Sequence, residues 1–259
     1  MGSDLKRWSR FMVYRLCLLL LMGCAGPATH SAVRSAATLD EIVTRNSAAV
    51  GSATVKAQRM QIDLTMHDAG QEFDAVYSVT RDRRMRIDIL KGGKRVYTEA
   101  YDGKQGWDME GDGSVSVDPH GDTLWHGTQF PGQLYTLADM AHNGHKLEYQ
   151  GREQLDGVDY YVLKLTLSDG FETYRYVNPD TWLIDRGRDY RAFHPAMDAK
   201  QTWVETVWSD YRPVDGLRRS WASENRDLNA GKTLATQQVT VIRLDPPIPD
   251  SYFEVPASK

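Results

Sequence analysis

Four histidines lie in one part of the sequence, and their side-chain type is suited to binding a transition metal. His120 and His126 belong to a polar loop, and His142 and His145 flank an Asn-Gly pair. Imidazole nitrogens bind zinc well, but structural zinc sites have fixed ligand spacings and supporting hydrogen-bond partners that this segment does not show. We therefore predict solvated loop histidines and no metal site.

A cluster of carboxylates precedes these histidines. Asp108, Glu110, Asp112 and Asp118 lie among glycines, and carboxylate oxygens are ligands that calcium prefers. Their spacing matches no calcium-binding loop, so the favoured interpretation is the solvated rim of a hairpin.

Arginines alternate with aspartates in a third charged cluster. Its members are Arg81, Asp82, Arg83, Arg84, Arg86 and Asp88. Guanidinium groups bind phosphates and carboxylates through paired hydrogen bonds, so a role in binding an anionic head group stays open. The favoured interpretation is again a solvated hairpin.

The thiol of Cys24 lies in the arrangement of a bacterial lipoprotein signal peptide. The motif Leu21-Met22-Gly23-Cys24 ends a short apolar run that follows a basic amino terminus. The run is too short for a transmembrane helix, which needs about twenty apolar residues. The motif implies cleavage before Cys24 and lipidation of its thiol, and two or three acyl chains form a stable membrane anchor. The alternative is an ordinary secretory signal with a chance cysteine.

Cysteine usage and charge exclude several classes of function. The chain has two cysteines, and Cys17 lies in the segment that would be removed, so processing leaves no thiol pair. The full chain has a net charge of -4, which becomes -7 for residues 24–259 because residues 1–23 hold four cations and one anion. We therefore predict no nucleic-acid partner, and we attribute membrane attachment to the acyl chains at Cys24.

The motifs of common enzyme classes are missing from the sequence. It contains no Gly-x-Ser-x-Gly motif, no glycine-rich phosphate-binding loop and no Cys/His pair. We predict that the protein is not an enzyme and uses no cofactor.

The elements that position these residues are mostly strands. Apolar and polar residues alternate within 60–66, 73–79, 85–89, 161–167 and 239–241, and a period of two predicts half-buried strands. Five Asp-Gly pairs favour tight hairpin turns between such runs. Connections this short exclude crossover helices, so we predict an antiparallel sheet of about ten strands.

Two short helices are predicted beside the sheet. The run from Thr38 to Glu41 has the form of a capping box and Gly51 is a plausible stop, which predicts a helix over residues 39–50. Residues 133–142 place apolar side chains on one helical stripe, which predicts a second helix after a loop that contains Trp125 and Phe130.

Several strand and turn motifs resemble the outer-membrane lipoprotein carrier and receptor superfamily, with its lipoprotein-sorting-like relatives and mycobacterial lipid-carrying lipoproteins. The motifs are YDGKQGW at 101–107, the segments 162–170 and 174–184, WSDYRPVDGL at 208–217 and FEVP at 253–256. The resemblance implies a mainly β (α+β) fold, a single unclosed antiparallel half-barrel with short covering helices. It also implies an apolar cavity that accepts acyl chains.

Apolar and aromatic side chains on the predicted strands and in the loop are candidates for lining this cavity. They are Ile62, Leu64, Phe73, Tyr77, Ile87, Ile89, Tyr97, Tyr101, Trp107, Trp125, Phe130, Leu134, Tyr161, Leu163, Leu165, Tyr174, Tyr176 and Trp208. Tyrosine and tryptophan offer apolar area with one polar group, which suits a cavity that alternates between water and lipid. Ordinary core packing is the alternative for each of them.

Together these features predict a lipoprotein in three parts. Residues 1–23 form the signal peptide, 24–37 a lipidated tether and 38–259 the half-barrel domain. We expect it to bind acyl chains of a lipid or lipoprotein at the periplasmic side of the cell envelope, in lipoprotein sorting or lipid handling. The outer membrane is favoured over the inner because Ala25 and Gly26 lack the retaining aspartate that the enteric sorting rule implies. The alternative function is an envelope sensor or partner-docking lipoprotein without lipid cargo.

Overall fold

The structure is a computed structural model and describes residues 37–51 and 56–256. Cys24, the signal peptide and most of the tether lie outside these residues, so their predictions stay predictions. None of the helices in the described part of the chain combines the length and the hydropathy needed to cross a bilayer.

The first helix forms where the sequence predicts it. Helix α1 is Leu39–Val50, and the Thr38 hydroxyl accepts a hydrogen bond from the Glu41 amide at 3.2 Å. Gly51 ends the helix with a φ of 83°, a conformation that glycine adopts without steric cost. A side chain at Gly51 would also meet the Gly216 carbonyl oxygen, since a Cβ there would lie 2.1 Å from it.

Thirteen strands form one antiparallel sheet in the described residues. They are β1 Arg59–Asp68, β2 Gln71–Thr80, β3 Met85–Lys91, β4 Lys94–Tyr101, β5 Gly106–Glu110, β6 Val115–Val117, β7 Lys146–Leu155, β8 Val158–Thr166, β9 Glu172–Val177, β10 Ile184–Arg191, β11 Thr202–Val214, β12 Leu217–Asp227 and β13 Lys232–Leu244. Their spatial order is β6-β5-β4-β3-β2-β1-β13-β12-β11-β10-β9-β8-β7. Because the edge strands β6 and β7 each pair with one neighbour and not with each other, the sheet is unclosed, as predicted.

The predicted count of about ten strands is too low. Strands β10 and β12 read IDRGRDYR and LRRSWASENRD, and neither alternates apolar with polar residues. Hydrophobic periodicity cannot detect such strands. Hydrogen bonding to the strands on either side stabilises β10 and β12 as strands.

The second helix lies in a different place from the predicted one. Helix α2 is Gly121–Gln129, in the segment predicted as a loop, and residues 133–142 contain only a short 3-10 turn at Leu137–Asp139. The sequence of α2 has two glycines and no side-chain cap, so its intrinsic helix propensity is low. Packing of Leu124 against the sheet stabilises it instead.

Different segments pack on the two faces of the sheet. We call the face that carries Met60, Val79 and Leu163 the inner face. Helix α1 packs on it over Leu163 and Val177, and α2 packs on it over Met60 and Val79.

The carboxyl-terminal segment, residues 250–256, packs on the outer face of the sheet. Phe253 is fully buried there, and its carbonyl oxygen accepts a hydrogen bond from Trp107 Nε1 at 3.0 Å. Arg84 and Arg86 hold this segment through the Asp250 carboxylate and the Tyr252 carbonyl. The prediction of a solvated arginine hairpin is therefore wrong for Arg84 and Arg86, whose side chains are 15% and 12% exposed.

Candidate functional site

Most of the candidate cavity residues share the inner face or lie in the segment that covers it. Directly paired residues of antiparallel strands project to the same face of the sheet. Successive pairs connect β1 to β10 across the sheet, so residues of both halves can be assigned to one face; the pairs run from Asp68 to Ala235, Asn225, Thr206 and Gly187. The inner-face strand residues are Ile62, Leu64, Phe73, Tyr77, Ile87, Ile89, Tyr97, Tyr101, Tyr161, Leu163, Leu165 and Trp208. The segment from the start of α2 to the end of the 3-10 turn, residues 121–139, lies over this face, and we call it the covering segment. Trp125, Phe130 and Leu134 belong to it.

Three candidates lie on the outer face and do not join this set. Trp107 contacts the carboxyl-terminal segment, and Tyr174 and Tyr176 pack with Tyr160 and Val162. Their neighbour in β9, Arg175, takes the inner-face position instead, because it pairs with Leu163. An aromatic side chain predicts burial, but the register of the strand decides which face it occupies.

The middle of the inner face is apolar and incompletely covered. Ile62, Tyr77, Ile87, Ile89 and Ile242 are only half-buried, although they lie on the central strands β13, β1, β2 and β3. We call these five residues the central patch.

Buried inner-face residues lie on both sides of the central patch, with Leu64 and Ala75 on one side and Met60 and Val79 on the other. Met60 and Val79 are at most 1% exposed, beneath Leu124 and Leu134. Ile62, Tyr77, Ile87 and Ile242 pack against the same cluster. The covering residues therefore shield the central patch only in part.

A buried arginine lies on the inner face of β9. Arg175 is 3% exposed, and its Nε has no hydrogen-bond partner in the described structure. Its guanidinium lies 4.5 Å from the centre of the Phe130 ring and 5.4 Å from that of Trp208. Gly187 makes room for it, since a Cβ there would lie 2.2 Å from Arg175 Nη1. Burial lowers the Arg175 pKa to about 10.

A second arginine reaches the same covering segment from β12. Arg219 is half-buried, and its Nη1 donates a hydrogen bond to the Gln133 carbonyl at 2.8 Å. Burial lowers its pKa to about 10, while the nearby Tyr211 and Tyr77 act in the opposite direction. Burial also raises the pKa of Tyr211, and both guanidiniums partly offset that rise. The charges of Arg175 and Arg219 therefore both act on the Tyr211 hydroxyl.

Carboxylates occupy the opposite side of the central patch. Glu99 is directly paired with Ile87 and with Asp108, so all three share the inner face. Burial raises the Glu99 pKa to about 7, and the charges of Asp108 and Asp118 add to the rise. The pKa of Asp108 is also raised, first by burial and then by Asp118. The prediction of a solvated rim is therefore wrong for Asp108, one of whose oxygens is buried without a partner, and it holds for the exposed Asp112.

A cleft of about 570 Å³ opens beside these carboxylates. Tyr101 and Trp125 line it together with Asp118, Lys104 and Ser168. Two of the candidate cavity residues therefore border open space at the edge of α2.

Two of the four histidines of this region form side-chain hydrogen bonds. His145 is buried between the Gln129 side chain and the Ser168 amide, and His126 contacts the Asp169 carboxylate at 2.6 Å. The prediction of solvated histidines is therefore wrong for His145 and His126, and it holds for the exposed His142. Within residues 37–51 and 56–256, no three acidic, histidine or cysteine side chains form a group that could hold a metal ion.

A second cleft lies on the outer face and has a volume of about 680 Å³. Tyr174, Tyr176 and Trp203 line it, together with Arg188 and Glu153. Trp203 and Tyr190 are exposed, and their ring centres are 5.7 Å apart.

Three solved structures share this architecture. A LolA superfamily protein from Nitrosomonas europaea matches with a TM-score of 0.55 and 13% identity, over 85% of this chain and 99% of that one. An outer-membrane lipoprotein-sorting protein domain, a putative assignment by its own description, comes from Vibrio parahaemolyticus and matches with a TM-score of 0.54 and 9% identity, over 82% and 94%. A DUF1329 family protein from Desulfovibrio piger matches with a TM-score of 0.53 and 15% identity, over 82% and 97%.

The chain shares its fold with these proteins, one of which is described as a LolA superfamily protein. The predicted resemblance is thereby confirmed at the level of the fold. No protein-family model and no curated protein matches the sequence itself.

Sequence reasoning missed the polar residues of the inner face. Arg175, Arg219 and Glu99 were not candidates, because the search followed apolar and aromatic side chains. A signal was available for Arg175: strict alternation in β9 places it on the same face as Val177. The same signal existed for Glu99, because alternation in β4 places it on the face of Tyr97 and Tyr101.

Proposed function

We propose that this protein is a membrane-anchored periplasmic lipoprotein that binds an acyl chain of a lipid or lipoprotein on the inner face of its sheet. The observation that carries the proposal is the central patch. Five apolar or aromatic side chains in the middle of a folded sheet stay half-buried, whereas well-packed cores leave no such surface. An acyl chain would cover this patch and stabilise the complex by about 25 cal/mol for each Å² removed from water.

The fold supports this proposal. The neighbours in Nitrosomonas europaea and Vibrio parahaemolyticus carry names of the LolA superfamily and of lipoprotein sorting. The lipidation motif at Cys24 supports anchoring in the envelope, with the outer membrane as the expected location. Binding and release would need no chemistry, so the protein acts without a catalytic residue or cofactor.

A matched pair of variants tests the proposal. Ile87 and Leu90 lie on the same strand and are both half-buried, but Ile87 projects to the inner face and Leu90 to the outer face. We expect Ile87→Gln to lower the amount of non-covalent lipid that co-purifies with the full chain, measured by mass spectrometry of organic extracts. Leu90→Gln should retain the wild-type amount. Equal lipid content in both variants, or no lipid in the wild type, would contradict the proposal.

The outer-face cleft favours a second candidate function, an envelope sensor or partner-docking lipoprotein. Exposed aromatic rings such as Trp203 are enriched where proteins bind other proteins. In that case an envelope protein should co-purify in stoichiometric amount with the wild type and with Ile87→Gln, and Trp203→Ser should lose it.

A further inference from the structure

Two cations on the inner face, Arg175 and Arg219, have no ion-pair partner in the part of the chain that the structure describes. Among the described residues, no carboxylate forms an ion pair with Arg175 or Arg219, although most other arginines of the sheet have one. Asp189 is the carboxylate whose charge acts on Arg175, but its Oδ1 accepts a hydrogen bond from Arg191 Nε at 2.8 Å.

Burying a cation without a partner is costly, and proteins normally pair such groups or keep them in water. The guanidinium of Arg175 lies against two aromatic rings and Gly187, and the carboxylate that acts on it, Asp189, already pairs with Arg191. Arg219 has one carbonyl as its hydrogen-bond partner. Within the described residues, these two guanidiniums of the inner face therefore lack a carboxylate in direct contact.

We propose that Arg175 and Arg219 bind the anionic head group, a carboxylate or a phosphate, of the amphiphile whose acyl chain covers the central patch. This inference rests on the proposed function and names the class of its ligand. Guanidinium groups donate several hydrogen bonds in a planar arrangement that fits carboxylate and phosphate oxygens.

The surroundings of the two arginines favour an amphiphile over a free anion. Phe130 and Trp208 flank Arg175, and Leu134 lies beside Gln133 in the covering segment. An inorganic anion would gain nothing from this apolar surface. A head group that continues into an acyl chain would contact both the cations and the central patch.

The covering segment controls access to the arginines. Phe130 lies over Arg175, and Gln133 accepts the hydrogen bond from Arg219. Both residues belong to the stretch between α2 and the 3-10 turn, which the sheet holds through side-chain packing of Leu134 and Tyr135. The head group would replace the Phe130 ring and the Gln133 carbonyl, so binding should shift this stretch.

The test compares a charged ligand with its neutral analogue. The full chain is placed in mixed micelles of a non-ionic detergent at pH 8, and 9,10-dibromostearic acid or its methyl ester is added at increasing mole fraction. Quenching of tryptophan fluorescence reports binding, because Trp208 lies beside Arg175. We expect the acid to bind at least tenfold more tightly than the ester, since a charge-assisted hydrogen bond replaces solvent contacts.

Arginine variants locate the charge that causes this preference. Arg175→Met and Arg219→Met should each reduce the preference for the acid without weakening binding of the ester. Arg243→Met is the matched control, because Arg243 is an exposed outer-face arginine paired with Asp63. If Arg175→Met does not fold, as judged by circular dichroism, Arg175→Gln and Arg219→Met carry the comparison.

The outcomes separate this inference from the proposed function. Equal binding of acid and ester by the wild type, or a preference that survives in both arginine variants, overturns the head-group site and leaves the proposed function standing. Absence of quenching by either ligand contradicts the proposed function itself. Displacement of the acid by inorganic phosphate at millimolar concentration would show a free-anion site and overturn the assignment to an amphiphile.

Discussion

Replacing Glu99 by glutamine should stabilise the protein at alkaline pH and leave its stability at acidic pH unchanged. Glu99 lies on the inner face, directly between Ile87 and Asp108 in the register of the sheet. Burial, together with the charges of Asp108 and Asp118, raises its pKa from 4.5 to about 7. Glutamine has nearly the same shape and carries no charge at any pH.

The size of the effect follows from the difference between the folded and unfolded pKa values. Between pH 4.5 and about 7 the folded chain keeps a proton that the unfolded chain has released. The free energy of unfolding therefore falls as the pH rises through this window and is level above it. The shift of 4.5 to about 7 corresponds to about 3 kcal/mol. Glu99→Gln should recover up to that amount above pH 8 and almost none of it at pH 4.5.

Urea unfolding of wild type and variant at pH 4.5 and pH 8.5, followed by tryptophan fluorescence, measures both differences. Glu110→Gln is the control, because Glu110 is exposed, lies in the neighbouring β5 and loses the same charge. Its effect should stay within about 0.5 kcal/mol at either pH. The reasoning fails if Glu99→Gln destabilises the protein at pH 8.5, or if its effect is the same at both values.

Three further changes test the fold and the anchor. Gly51→Ala should lower the free energy of unfolding by about 2 kcal/mol, because Gly51 has a positive φ and the added Cβ would meet the Gly216 carbonyl oxygen. Urea unfolding measures this change, and an unchanged midpoint would contradict the close approach of Gly51 to Gly216. Phe253→Ala should lower the free energy of unfolding by about 3–5 kcal/mol in the same assay, because Phe253 is fully buried against the outer face. A decrease below about 1 kcal/mol would mean that the carboxyl-terminal segment is not part of the core. Cys24→Ala should release a folded protein from the membrane fraction, with the circular dichroism and melting temperature of the wild-type domain, and retention in membranes would refute the anchor.

The sequence was informative where one local rule governs the structure. Thr38 and Gly51 define α1 because capping depends on a few adjacent residues. Alternation predicts β1 and β2 because one face of each strand packs against the core and the other does not. Helix α2 was missed for the opposite reason, since its helicity comes from contacts with distant strands and not from its own residues.

The candidate site divides in the same way. Alternation predicts that Ile62, Ile87 and Leu163 each lie on the apolar face of their own strand, and the pairing of the strands shows that these faces are one face of the sheet. Tyr174 and Tyr176 were assigned to the wrong face because an aromatic side chain does not reveal the register of its strand. The unpaired state of Arg175 depends on which residues face it from β10 and from the covering segment, and no sequence window contains all of them.

The positions of charge on the inner face constrain how an amphiphile would lie there. In the strand order, β3, β2, β1 and β13 separate Glu99 on β4 from Arg219 on β12. Five strand spacings of about 4.8 Å give about 24 Å along the sheet, and the central patch fills this interval. An anionic head group would be attracted at the arginine side and repelled by Glu99 and Asp108 at the other, increasingly so above pH 7. The same two charged regions that make the inner face costly to bury would therefore give a bound acyl chain one orientation, with its tail toward β4.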